Sequence, residues 1–473
     1  MSTRAIDLPR PRTRVRLAAA LEVHGLTIAA AALGAALLLI LAAAAGMVAD
    51  SWLGLVGGRE VAQHGLPSRD NLAVVTFGRL WVDQQWLGQL VLYELHRATR
   101  AYFPLLLACL AAIPALLGSI ALGRRGSRDR AVAAVAVLTL LPFLGAAALA
   151  RTQSLAYPLF VVLLALLQRR QTWATRIASL GAIALWANLH GSVLLGAGAA
   201  SLRFLQDARR HRGRTTLLVG SAWLATLCSP YALDLPSYYR STVANSTFSE
   251  VLTQWQPLGL SARALPTWLL VVGVVWLVGR SKRRLWTFEP ALLLALVVLT
   301  VDSVRTAPFL ALAAVALLPR LITRSRPERP ETLVRARVAI AAVASAALIA
   351  TVAVTHVRFS PLAPEAAAAA ATGPGKIFVP LELGDWLLWN EPAVRGRVSA
   401  DARAELLTPS ELRRFAGLWH GADGWRELTA GYRSFVLSPT DERWLVRRLR
   451  ARSPRFAVVY RDEHVVVLAR RGR

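Results

Sequence analysis

The stretch Leu185–Ser192, "LWANLHGS", decides the fold. It places an asparagine, a histidine and a glycine in sequence that otherwise reads as membrane helix, and the orientation of every later segment depends on whether the chain turns there. Around it, the chain has 473 residues, is 55% hydrophobic and has positive mean hydropathy. Its apolar runs approach the roughly 20 residues that a bilayer-spanning helix needs. This composition excludes an ordinary soluble protein and predicts a mostly α polytopic membrane helix bundle. The formal charge of +27 does not point to nucleic acid, because the basic residues fall in short clusters between apolar segments, the pattern that encodes membrane topology. Cys109 and Cys228 lie in apolar stretches without metal-like spacing and read as packing residues.

The basic clusters are Arg4–Arg16, Arg124–Arg130, Arg169–Arg176, Arg203–Arg214, Arg280–Arg284 and Arg320–Arg337. The long apolar run after the first cluster lacks a cleavage site and reads as a retained span. If all the clusters are cytoplasmic, the chain leaves and returns between each pair, which gives about eleven spans with the tail outside. These spans are Leu26–Ala49, Ala101–Leu122, Ala131–Ala150, Ser154–Gln168, Ile177–Leu189, Gly191–Leu205, Leu217–Ser229, Leu265–Gly279, Phe288–Val301, Thr306–Ile322 and Val338–Val357. Three excursions are tight hairpins whose midpoints are polar: Ala150 beside Arg151-Thr152-Gln153, Leu189-His190, and Asp302 near Arg305. The legs of the middle hairpin reach only roughly 20 Å, short of the roughly 30 Å hydrocarbon core. Its turn therefore belongs below the outer surface, where backbone is tolerated only if protein buries it or water lines it. Asn188 and His190 then form the floor of a cavity opening outward. The competing reading has both side chains bonding neighbouring carbonyls in a packed bundle, with Gly191, Ser192 and Gly196 allowing close helix approach. If Ile177–Leu205 is instead one long helix, everything after it reverses.

The organisation that follows is a basic cytoplasmic N-terminus at 1–25, a transmembrane region at 26–357, a linker at 358–375 and an extracytoplasmic α/β domain at 376–473. Long outer loops occupy 50–100 and 230–266. In the first, Gly57-Gly58, Gly65-Leu66-Pro67 and Ser68-Arg69-Asp70-Asn71 are turn chemistry, and Trp52, Trp81 and Trp86 suit a membrane interface. Asp50 follows the first span at once, where a carboxylate facing a cavity marks function. In the second, Tyr238, Tyr239, Arg240, Glu250, Gln254 and Trp255 form a polar rim or lid. The tail alternates strand-like and helical patterns, with Asp385, Trp386, Trp389, Asp401 and Arg403 as candidate ligand contacts or packing residues. It carries neither a Gly-rich phosphate loop nor a Ser/His/Asp signature.

Asp50, "GREVAQHGLPSRDNLAVVTFGRLWVDQQWL", "RTQ" at Arg151–Gln153, "WANLHGS", "SPY" at Ser229–Tyr231, "GDWLLW" and "DAR" at Asp401–Arg403 together resemble bacterial multi-pass proteins of the GT-C glycosyltransferase type. The resemblance spans nearly the whole chain. It implies a protein of the bacterial cytoplasmic (inner) membrane that moves a sugar from a polyprenyl-phosphate-linked donor to an extracytoplasmic glycan, lipid or protein acceptor, with Asp50 near the reaction centre. The chain departs from the pattern at Gln84-Gln85, where a His-Glu pair is expected, and by having Arg-Thr-Gln and Asp-Ala-Arg in place of Arg-Pro-Gln and Asp-Gly-Arg. In this reading Asp50 is the general base; Arg151, His190 and Arg305 neutralise phosphate; Gln153 and Asn188 contact substrate; and Asp70 and Glu250 orient the acceptor or hold a divalent cation through oxygen. Asp302 with Arg305 reads alternatively as an ion pair closing a hairpin. The rival classes are a lipid or polysaccharide-precursor transporter, against which the lack of an internal repeat speaks, and a non-catalytic envelope scaffold, which the Gln84-Gln85 change favours.

Overall fold

The computed structural model describes residues 12–208, 211–322, 332–356, 373–418, 425–451 and 456–470. Most of the predicted linker and the basic stretches at 1–11 and 323–331 lie outside these residues. Each predicted span contains a helix: α1 (Arg12–Ala45), then, after two outer helices α2 (Ala49–His64) and α3 (Trp86–Thr99), α4 (Phe103–Gly123), α5 (Asp129–Ala147), α6 (Ala156–Leu167), α7 (Trp173–Trp186), α8 (Val193–Leu205) and α9 (Arg212–Ala225). The second outer loop carries α10 (Leu235–Val243) and α11 (Ser246–Val251), and α12 (Leu265–Arg280), α13 (Phe288–Asp302), α14 (Ala307–Ile322) and α15 (Thr332–His356) complete the bundle. Among the described residues, five helical stretches are long and apolar enough to cross a membrane: Val23–Ala45, Phe103–Gly123, Asp129–Ala147, Ala262–Arg280 and Val304–Ile322. The chain is a membrane protein.

Local chemistry explains the bends. α1 leaves helical geometry at His24, and the amides of Leu26 and Thr27 each donate at 3.0 Å to the buried Asp129 carboxylate at the start of α5. α4 widens to π-helical pitch over Ala108–Ala112, beside the turn at Thr152–Leu155. The chain turns between α7 and α8, so Ile177–Leu205 is not one helix. The arginine-rich ends lie together. Arg320 donates to the Leu122 carbonyl at 2.8 Å and to Gln168, joining α14, α4 and α6, while Arg176 pairs with Asp207 at 2.9 Å. The apices at Arg151, His190 and Arg305 meet at the other end.

Outside the bundle the first loop and the tail share one core. Gly57 and Gly58 lie inside α2, not in a turn; a Cβ at Gly58 would stand 2.2 Å from the Gln89 carbonyl, so glycine here lets α3 press against α2. Trp52 and Trp81 are buried against Trp386, Leu387 and Val436 of the tail, which overturns their interfacial reading. The tail forms a four-stranded sheet ordered β1 (Ile377–Phe378), β2 (Ser434–Leu437), β4 (Val466–Arg470), β3 (Phe456–Arg461). β1 and β2 are parallel and the other pairs antiparallel. Helices α16 (Leu381–Asn390), α17 (Pro409–Gly417) and α18 (Arg443–Ala451) flank it, and α16 packs on α2. The loop joins the tail through main chain: Val74 N donates to Val398 O at 2.7 Å, Val75 N to Ser399 O at 3.1 Å, and Gly396 N to Leu72 O at 2.8 Å. Cys109 and Cys228 are exposed on the helix surfaces, not packed.

Candidate active site

Where the helix ends opposite the arginine-rich ones meet the loops and the tail there is a cavity of about 930 Å³. Phe309 lines it, backed by a buried aromatic cluster: it packs edge-on to Tyr157 at 5.4 Å and Phe160 at 5.3 Å, and stacks on Trp186 at 6.0 Å. Asp50 lies in the first turn of α2, where the helix dipole favours a carboxylate. The Ser51 hydroxyl accepts from Val48 N at 3.1 Å and donates to Ala150 O at 2.6 Å, which fastens the start of α2 to the loop before Arg151. Arg151 Nε then stands 3.3 Å from Asp50 Oδ2, with the carboxylate side chain 42% exposed and the guanidinium 13%. The other end of Arg151 donates to Gln254.

Arg305 anchors the opposite wall. Its Nε donates to Gln153 Oε1 at 3.2 Å, its Nη2 lies 2.9 Å from His190 Nε2, and its plane sits over the Trp255 ring at 4.8 Å. Backbone contacts fix this geometry, since Arg305 N donates to Gln254 O and Val304 N to Gln256 O, both at 3.2 Å. A guanidinium only donates, so His190 Nε2 is the acceptor. The histidine therefore positions Arg305, and the fixed positive charge comes from Arg151 and Arg305. The expected pair of Asp302 with Arg305 does not form: Asp302 lines the cavity while Arg305 turns to His190 and Gln153.

Asp50, Arg151, Gln153, His190 and Arg305 thus line a single cavity. Asp70, Asn188 and Glu250 do not. Asp70 is fully buried, accepting from Leu72 N at 2.9 Å and Thr76 Oγ1 at 2.5 Å, with Arg403 at 2.7 Å. Its oxygens are committed, so it neither acts as a catalytic acid nor joins Glu250 around a cation. Glu250 points outward to Arg413 at 3.0 Å and fastens α11 to α17. Asn188 donates to Ala184 O at 2.9 Å and Cys228 O at 2.7 Å and accepts from Trp86 Nε1 at 2.9 Å, which matches the packed-bundle reading for this residue. Among the described residues no group of three or more His, Cys, Asp and Glu is disposed to hold a metal. Gln84 and Gln85 both line the cavity: Gln84 donates to Ala187 O at 2.8 Å, and Gln85 receives the Thr152 hydroxyl.

The tail candidates are structural. Asp385 and Trp386 are fully buried, and Asp385 accepts from Ala402 N at 2.9 Å. Arg403 is buried between Asp70 and Asp401, over the Trp81 ring at 4.2 Å. Behind it Asp83 is buried, and burial together with the nearby Glu405 charge pushes its carboxyl up to about 7. The sequence reading missed Glu405 and Glu382, which line the cavity from the tail. For Glu405 the signal was present, two residues beyond the "DAR" stretch.

No protein-family model and no curated protein matches the sequence. Solved structures do. ArnT from Cupriavidus metallidurans in the apo state superposes with a TM-score of 0.51 at 15% identity, covering 90% of this chain and 94% of that one. The same protein bound to undecaprenyl phosphate gives a TM-score of 0.49 at 14% identity, covering 96% and 97%. The archaeal oligosaccharyltransferase AglB from Archaeoglobus fulgidus, in complex with an inhibitory peptide and a dolichol-phosphate, gives 0.47 at 11% identity, covering 83% and 66%. The chain has the GT-C-type fold of membrane glycosyltransferases.

Proposed function

We propose that this protein is a membrane glycosyltransferase that moves a sugar from a polyprenyl-phosphate-linked donor to an extracytoplasmic acceptor, with Asp50 as general base. The observation that carries this reading is the convergence of Asp50, Arg151, His190 and Arg305, which lie far apart in sequence, on one cavity. Transfer breaks the bond between the sugar's anomeric carbon and the phosphate oxygen, and the electron pair leaves on the phosphate. Arg151 and Arg305 neutralise that charge, each with a planar fork suited to phosphate. Arg151 pairs with Asp50 when no anion is present; a phosphate drawing the guanidinium away leaves the carboxylate free to take the acceptor proton. The apolar lining from Leu194, Leu195, Leu299 and Phe309 on the helices suits a lipid-borne substrate, and Gln153 and Trp255 hold Arg305 in place.

In this reading the arginine-rich ends face the cytoplasm of the bacterial inner membrane, about eleven helices span it, and the tail at 376–473 is an extracytoplasmic α/β unit built against the first outer loop. A carrier of the same lipid needs no base, and a scaffold needs no ordered charge in the cavity. The test is transfer of label from undecaprenyl-phosphate-linked sugars by the purified chain in proteoliposomes. Asp50→Asn is expected to lower transfer at least ~100-fold at unchanged membrane insertion. Full activity of that variant, or flux of the lipid without any acceptor, refutes the assignment.

A further inference from the structure

The two walls of the cavity differ in what their side chains have left to offer. On the membrane side the side chains are cationic and already ordered, Arg151 by Asp50 and Gln254 and Arg305 by Gln153 and His190, which suits an anion. On the tail side Glu405 faces the cavity half-buried, and its carboxyl accepts from its own backbone amide but from no side chain among the described residues. It is also held in place. The helical turn Ala404–Leu406 that carries it is clamped by Arg79 Nη1 donating to Leu406 O at 2.8 Å, by Leu406 N donating to Arg403 O at 3.0 Å, and by the buried Arg403 ion pairs. A carboxyl so positioned, with no side-chain partner, is arranged for a ligand. Phosphate is excluded, since a carboxylate beside it is repelled; a hydroxyl is the complement.

Resting on the glycosyltransferase reading above, we propose that Glu405 binds a hydroxyl of the acceptor, so that the tail supplies the acceptor half of the site and the membrane hairpins supply the phosphate half. This places a carboxyl in the cavity although Gln85 carries an amide. Burial pushes Glu405 up to about 7, opposed by the hydrogen bond from its own backbone amide and by Arg403, with Asp401 and Asp50 adding to the rise. The charged and titratable groups facing it are Asp50 at the start of α2, Asp83 in the first loop, Tyr238 on α10, and Asp401 and Arg403 on its own segment. Acceptor binding through an ionised Glu405 therefore weakens as pH falls below about 7.

The test uses the purified full chain, radiolabelled undecaprenyl-phosphate hexoses as donor probe, and graded detergent extract of membranes lacking the protein as acceptor. Glu405→Gln is expected to raise the apparent acceptor requirement about 10- to 100-fold while undecaprenyl-phosphate binding stays within about twofold. Glu405→Asp keeps the charge one methylene back and is expected to fall between the two, and the Gln variant is expected to lose the weakening of acceptor use below neutral pH. An unchanged acceptor requirement in both variants, or a loss that appears in undecaprenyl-phosphate binding instead, overturns the proposal. Those results with Asp50→Asn inactive leave the transferase reading intact; an active Asp50→Asn protein removes that reading itself.

Discussion

Replacing Arg403 by methionine tests how the outer half of the site is built. The side chain is 1% exposed, and its Nη2 sits 2.7 Å from Asp70 Oδ1 and 2.5 Å from Asp401 Oδ2, on carboxylates only 0% and 3% exposed. Its Nε donates to Asp401 Oδ1 at 2.9 Å, and its plane lies 4.2 Å from the Trp81 ring centre. Methionine fills much of the volume and removes the charge, leaving two carboxylates buried without a counter-ion. Removing one partner of a buried pair costs about 3–5 kcal/mol, which for a chain of this size, at roughly 1 kcal/mol per degree, lowers the thermal midpoint by about 3–5 °C. Tryptophan fluorescence in detergent reads the transition directly, because Trp81 lies against the mutated group. The deficit should largely vanish in the triple variant Asp70→Asn, Asp401→Asn, Arg403→Met, which leaves no carboxylate stranded. A midpoint shift under about 1 °C, or a deficit that persists undiminished in the triple variant, refutes the reasoning.

Three further perturbations separate structural from chemical roles. Asp83 is buried and pushed from 3.8 up to about 7, so the folded protein holds a proton that the unfolded chain has lost; stability falls as pH rises between those values, and Asp83→Asn is expected to stabilise by up to ~4 kcal/mol at pH 8 with almost no effect near pH 4, read as a midpoint difference between the two pH values. Asn188→Ala removes three hydrogen bonds that tie Trp86, Ala184 and Cys228, and is expected to cost ~1–3 kcal/mol while transfer per folded molecule stays unchanged, whereas His190→Ala releases Arg305 and lowers transfer itself. Gly123→Ala sets a Cβ 2.2 Å from the Val315 carbonyl where α4 meets α14, and is expected to lose about 1–3 kcal/mol, seen as less monodisperse protein on size-exclusion chromatography.

The bundle was legible because its signals are local. Arginine clusters and apolar runs mark helix ends, and halving the distance between clusters lands on Ala150, His190 and Asp302, within three residues of the Arg151, His190 and Arg305 that line one cavity. What was not legible depends on partners distant in sequence. Asp70 reads as an exposed turn carboxylate until Arg403 arrives from the tail, and Trp52 and Trp81 read as interfacial until the sheet covers them. Within one motif the reading divided: His190 faces the cavity and Asn188, two residues earlier, faces the bundle, a difference set by the turn geometry that residue types do not encode. Glu405 went unread because it lies just past a stretch whose own charged members are buried.

The strand-like pairing of 72–75 with 396–399 also governs the order of assembly. The outer loop leaves the ribosome about three hundred residues before the segment that covers it, and through most of synthesis it must wait with its tryptophans bare to water or to a chaperone. Only when the last hundred or so residues have been made does the half-built chamber acquire its roof. A nascent chain stalled in the bundle is therefore expected to be inserted in the membrane, inactive and open to protease at this loop.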